Sequence, residues 1–97
     1  MKLKPCRDDE GQIVGYAFYC PGCKHLHVYY VVGRIVWNFN GNMDLPTFSP
    51  SLLNHREGYR CHLNLTDGKI FFHADSTHEL KETAVDLPMY EEAKVAS

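Results

Sequence analysis

The sequence has no long apolar run. Nothing in it approaches the roughly 18 residues that a membrane-spanning helix needs, so no membrane partner is expected. Its start carries no signal-peptide pattern, which points to a soluble, intracellular protein. An excess of one charge is also lacking. Ten Lys and Arg stand against twelve Asp and Glu, a net charge of −2. Such a chain sets up no global basic field for nucleic acid or anionic lipid. Nucleic acid stays open as a partner only through a modest local patch of Lys24, Arg34, Arg56 and Arg60. The glycines are scattered at turns, so no phosphate-cradling loop is present. There is no internal repeat and no low-complexity tract. Neither a Ser-His-Asp order nor a His-Glu-x-x-His helix points to a hydrolase.

What is present suits one small domain. The chain has 97 residues, 44% apolar and 12% aromatic, which excludes wholesale disorder. A domain of this size hides only roughly 60–65% of the surface its unfolded chain exposes, so a metal staple would help it. Residues 1–11 read as a polar lead-in containing Cys6. Residues 12–88 read as the folded domain and 89–97 as a polar tail. Strands are expected at 12–19, 25–32 and 35–39, where β-branched and aromatic residues concentrate. Pro46 and Pro50 make 42–54 an ordered, extended connection. Asp67-Gly68 is a two-residue hairpin signal between 59–65 and 69–75. Its register sets Leu65 opposite Ile70, Leu63 opposite Phe72 and Cys61 opposite Ala74. His62 then faces His73 on the other side. Ser76 to Glu79 fits a capping box, predicting a short helix to about Lys81. Residues 83–87 end the domain as a strand. The expected class is mainly β: antiparallel strands and hairpins around a zinc knuckle, with one short helix.

The chemistry concentrates at Cys20-Pro-Gly-Cys23. Two thiolates this close can grip one soft ion, and zinc takes four Cys and His ligands in a tetrahedron. A thioredoxin-like redox pair normally opens a helix, but strands flank this one. Cys61, on the apolar face of its strand, is the third candidate. The residues leave the fourth open between His62 and His27, with Cys6 behind them. His62 follows Cys61 directly, and neighbours on a regular strand point to opposite faces, so it needs a local bulge. Four protein ligands make the metal structural. Three and a water make it catalytic, and then His62, His73, His78 and Asp75 converge near the hairpin end. Cross-strand pairing of His62 with His73, and His78 at a helix start, account for the same residues without catalysis. Trp37, Phe39, Phe48 and Tyr29 can offer a stacking surface, though core packing explains them too.

Taken together, Tyr16–Cys23, His27, Trp37-Asn38, the Pro-Thr-Phe-Ser-Pro-Ser run at 46–51 with Leu52, Cys61-His62, Asp67–Ile70, Asp75–His78 and Val85–Pro88 resemble a family of small phage and prophage proteins. Its members often carry the name ammonia monooxygenase, which a chain without membrane spans does not suit. A looser similarity runs to small zinc-knuckle proteins of bacterial ubiquitin-like gene clusters. There a Cys and a His precede the same hairpin, which favours His62. The resemblance implies Zn²⁺ at Cys20, Cys23, Cys61 and His62 (or His27) and no established activity. It also implies a phage accessory protein in the host cytoplasm. The expected action is binding to a host protein through Trp37, Pro46, Phe48 and Pro50, rather than catalysis. A small zinc-dependent hydrolase, with His78 or Asp75 as base, and a nucleic-acid binder are the alternatives.

Overall fold

Alternation of apolar and polar residues from Tyr59 to Thr66 builds the central strand. Cys61, Leu63 and Leu65 are fully buried on one side, and His62 and Asn64 lie half-buried on the other. In the computed structural model, which describes residues 1–90, this strand belongs to the larger of two antiparallel sheets. β1 (Lys4–Arg7), β2 (Ile13–Cys20) and β3 (His25–Tyr30) form the first sheet in that order. β4 (Asn38–Phe39), β5 (Phe48–Arg56), β6 (Tyr59–Thr66), β7 (Lys69–Phe72) and β8 (Ala84–Asp86) form the second, each beside its sequence neighbour. The mainly β expectation holds. Among the described residues no helix is long and apolar enough to cross a membrane.

The β6–β7 hairpin has the register read from the sequence, with Leu65 opposite Ile70 and Leu63 opposite Phe72. Asp67 and Gly68 both adopt positive φ, 49° and 77°. That left-handed pair supplies the twist a two-residue hairpin requires. The ladder stops at Phe72, before Cys61 and Ala74 can pair. His73 still donates its amide to the His62 carbonyl at 2.8 Å.

Several elements differ from expectation. The 42–54 connection is strand from Phe48 onward, and the strand runs through Pro50 to Arg56. It accommodates the proline by a bulge. Four residue steps on β5, Phe48 to Leu52, oppose two on β6, Leu65 to Leu63. A proline has no N–H for a ladder and belongs where pairing is interrupted. The Ser49–Pro50 bond is cis. The expected strand at 35–39 shrinks to two residues because Ile35 points into solvent, 76% exposed. The expected helix after Ser76 is a run of turns. Its would-be capping hydroxyl bonds the backbone of His62 instead of its own segment. The lead-in is part of the fold: β1 pairs with β2, and Leu3 is fully buried. At the other end Tyr90 is buried and donates its amide to the Met1 carbonyl at 2.7 Å. The rest of the expected tail, 91–97, lies outside the described residues.

The inner faces of the two sheets share one core. A column of rings crosses it: Phe18 on Tyr29 at 5.4 Å, Tyr29 on Phe48 at 4.2 Å, and Phe48 on Phe39 at 4.6 Å. Leu3, Leu63, Leu65, Phe72 and Leu87 close around it. Phe48 and Pro46, expected on a binding surface, are therefore buried. Fully burying a side chain of the Phe or Leu kind contributes about 1.5–3 kcal/mol, which explains why they face inward.

Candidate active site and metal centre

The β2–β3 hairpin and β6 meet at a cluster of sulfurs. Cys20 ends β2, Cys23 closes the turn, His27 lies on β3, and Cys61 projects from β6. One donor atom from each falls within 4.8 Å of all the others. Cys20 Sγ and Cys61 Sγ are 3.9 Å apart, and His27 Nε2 is 3.3 Å from Cys23 Sγ. No disulfide joins the thiols. Tetrahedral zinc with Zn–S near 2.3 Å sets its sulfurs roughly 3.8 Å apart, so three thiolates and one imidazole fit a metal ion of that kind.

The electrostatics agree. Three thiols packed together without a counter-charge cannot all ionise. Hydrogen bonds from Cys20 and then Cys61 hold the Cys23 thiol far below its ordinary value, with His27 and Tyr59 adding to the effect. Cys20 is pushed up to about 12, first by its hydrogen bond to Cys23. Cys61 is pushed up by its bond to Cys20, then Cys23, and by burial. The Tyr59 hydroxyl donates to Cys23 Sγ at 2.6 Å. A divalent cation resolves the conflict by deprotonating every thiol it binds.

His62, the fourth ligand favoured on sequence, is not in this group; His27 is. The reason is the strand period. β6 runs regularly through Cys61 and His62, so they face opposite ways. Cys6 is also elsewhere, its thiol directed at the Lys4 carbonyl at 3.8 Å.

His62 takes part in a different arrangement on the outer face of the second sheet. Its Nε2 lies 2.9 Å from Ser51 Oγ. Its Nδ1 lies 3.1 Å from Asp75 Oδ1 and 3.3 Å from Oδ2. A carboxylate only accepts, so Nδ1 carries the proton, and Nε2 is left to accept from the serine hydroxyl. Desolvation pushes the Asp75 carboxyl up. The hydrogen bond and charge of His62, with the Arg60 guanidinium at 3.3 Å, outweigh it and hold the group below its ordinary value. His73 stacks on His62 with centroids 4.2 Å apart, and its Nε2 meets Asn64 Oδ1 at 2.5 Å.

Each member is placed by a specific backbone feature. The β5 bulge, between Phe48 and Leu52, contains Pro50 and presents Ser51, and Trp37 Nε1 fixes the carbonyl of Ser51 at 3.2 Å. Asp75 sits in the turn after β7, which is stapled to β6. The buried Ser76 hydroxyl accepts from the His62 amide and donates to its carbonyl, at 3.0 and 3.2 Å. Thr77 does the same for Arg60, at 3.0 and 3.2 Å. The sequence reading found no Ser-His-Asp order and so missed Ser51, but that order is present: Ser51, His62 and Asp75 follow one another, with Ser51 and His62 on strands that pair.

Of the surface expected to bind a partner, Trp37 is half-buried and Pro50 exposed, while Phe48 and Pro46 are core. His25 and His55 are in solvent.

A serine, an imidazole and a carboxylate in hydrogen-bond sequence are the arrangement that nucleophilic catalysis requires, here on a small β fold with a candidate metal cluster. The sequence model of a family described as "Bacterial ubiquitination-like system serine protease (BubE)" matches residues 4–73. The chain belongs to that family. Ser51, His62 and all four cluster residues fall within the matched span, and Asp75 lies two residues beyond it. No curated protein and no solved structure matches the chain.

Proposed function

We propose that this protein is a serine peptidase of a bacterial ubiquitination-like system, with Ser51 as nucleophile, His62 as general base and Asp75 as its orienting carboxylate. The observation that carries the reading is the Ser51–His62–Asp75 chain of hydrogen bonds at 2.9 and 3.1 Å. Both distances lie in the range expected of a nucleophile, its base and the base's partner. The family description supports the same class of chemistry.

The steps follow from the donor pattern. Ser51 Oγ attacks the scissile carbonyl carbon while His62 Nε2 takes its proton. Asp75 stabilises the imidazolium through Nδ1–H and is not itself protonated. His62 then gives the proton to the leaving amine as the C–N bond breaks, leaving an acyl group on Ser51. Water, deprotonated by His62, attacks that ester, and His62 returns the proton to Ser51 Oγ as the ester bond breaks and the acid leaves. The metal has no step in this sequence. Four protein donors fill a tetrahedron, which supports a structural ion.

A recess of about 300 Å³ lies between β3 and β5, where the apolar Leu26, Val28, Tyr30, Leu52 and Leu53 are joined by the polar His27 and Asn54. Leu53, at one edge of the recess, is the cross-strand partner of His62. An apolar side chain near the scissile bond is the group the recess would take. A fluorophosphonate probe tests the function directly. Mass spectrometry should find one adduct, on Ser51, lost in Ser51→Ala and strongly slowed in His62→Ala. A folded protein that gives no adduct at Ser51 would overturn the reading.

A further inference from the structure

His78 belongs neither to the triad nor to the four-residue cluster, yet it lies between them. Its Nε2 is 3.4 Å from Cys61 Sγ. Its Nδ1 accepts the Leu80 amide at 3.2 Å. That second bond decides the tautomer. An amide N–H can bond only a bare ring nitrogen, so the proton of neutral His78 sits on Nε2 and points at the sulfur. The ring stands edge-on to Phe72 at 4.6 Å and lies over the knuckle. A Cβ added at Gly22 would come within 2.4 Å of it. The Pro-Gly of the knuckle thus leaves room for this imidazole as well as for a tight turn.

The position matters because of what flanks it. Three successive residues of β6 are gripped by three successive residues of the turn that carries Asp75: His62 by Ser76, Arg60 by Thr77, and Cys61 by His78. Two grips are made by hydroxyls to backbone. The third ends on a thiol that would bind the metal.

We propose that His78 is a positioning residue. Its Nε2–H donates to the metal-bound Cys61 thiolate and anchors the Asp75 turn to the metal centre, so that metal occupancy holds Asp75 against His62. A hydrogen bond to a ligating sulfur draws charge from it, and partners of this kind typically shift metal affinity or activity ten- to a hundredfold. The catalytic part rests on the triad reading; the hydrogen bond to sulfur does not.

The tautomer can be read on the unmodified zinc-loaded protein by long-range ¹H–¹⁵N NMR. His78 should show a protonated Nε2 and a bare Nδ1. The reverse, or a metal-bound Nε2, overturns the proposal. With cobalt in place of zinc, His78→Ala should still bind one ion. Its thiolate-to-cobalt band should move to lower energy, and its fluorophosphonate labelling at Ser51 should slow about ten- to a hundredfold. Gly22→Ala, which keeps the histidine but displaces it, should give the same spectral shift. An unmoved band with unchanged labelling in a folded variant refutes the anchor. If the unmodified protein fails to label, the serine reading falls, while the tautomer and the band still decide the bond to sulfur.

Discussion

Asp75 is the residue whose charge the proposed triad depends on, and it is half-open to water, with 41% of its side chain exposed. Exposure would leave it an ordinary carboxylate; His62 and Arg60 hold it below that range against desolvation. A depressed carboxyl contributes stability above its unfolded value and loses it as pH falls through the folded one. Unfolding curves taken from pH 5 downward should therefore fall more steeply for the parent than for Asp75→Asn. At neutral pH the same substitution should leave Ser51 in place but fail to fix Nδ1–H, lowering kcat by roughly 10³–10⁴-fold. Tyr29 offers the opposite case. Its hydroxyl is the one buried side-chain polar atom without a partner among the described residues. Leaving such a group unpaired costs about 1–3 kcal/mol. Tyr29→Phe should raise the melting temperature while the Phe18–Tyr29–Phe48 stack persists.

At the scale of elements, what the sequence made legible was what local chemistry decides. The Asp67-Gly68 turn and the alternation of Tyr59–Thr66 gave a correct register, and with it the pairing of His62 with His73. What stayed hidden depended on neighbours distant in sequence. Pro50 read as part of an extended connection outside any strand, but a bulge absorbs it within β5, and that bulge is what presents Ser51. Ser76 read as a helix cap because its hydroxyl suits one; its partner is the His62 backbone, fourteen positions earlier. Period two alone was enough to set His62 against Cys61 as a ligand, yet the resemblance to a Cys-His family pattern favoured it. The bulge is also testable. Trp37 Nε1 bonds the Ser51 carbonyl, and a hydrogen bond of this kind contributes about 1 kcal/mol. Trp37→Phe keeps an aromatic ring against Tyr29 but removes the donor together with part of the indole that packs on the core. Stability should drop by at least that amount, and acylation of Ser51 should slow further than the stability loss accounts for.

Over the whole molecule, the metal centre joins parts that the chain topology leaves separate. Cys20, Cys23 and His27 come from the three-stranded sheet, and Cys61 alone comes from the five-stranded one. A bound ion is thus a bond between sheets at one end of the core, while the ring column ties them further along. The ion would hold β6, the strand that carries His62, through Cys61, whereas the column engages β4 and β5. A 97-residue chain with a core this size has little stability to spare. In small metal-dependent domains, zinc supplies on the order of 10 kcal/mol of apparent stabilisation. A strong chelator should therefore lower the melting temperature sharply, and labelling of Ser51 should cease together with loss of tertiary signal or before it. Cys61→Ser should do the same with the ion still held weakly by the hairpin residues, because it cuts the one ligand from the second sheet. Near-ultraviolet circular dichroism followed during chelation, alongside the labelling rate, distinguishes this from a metal without structural weight, for which neither signal would change.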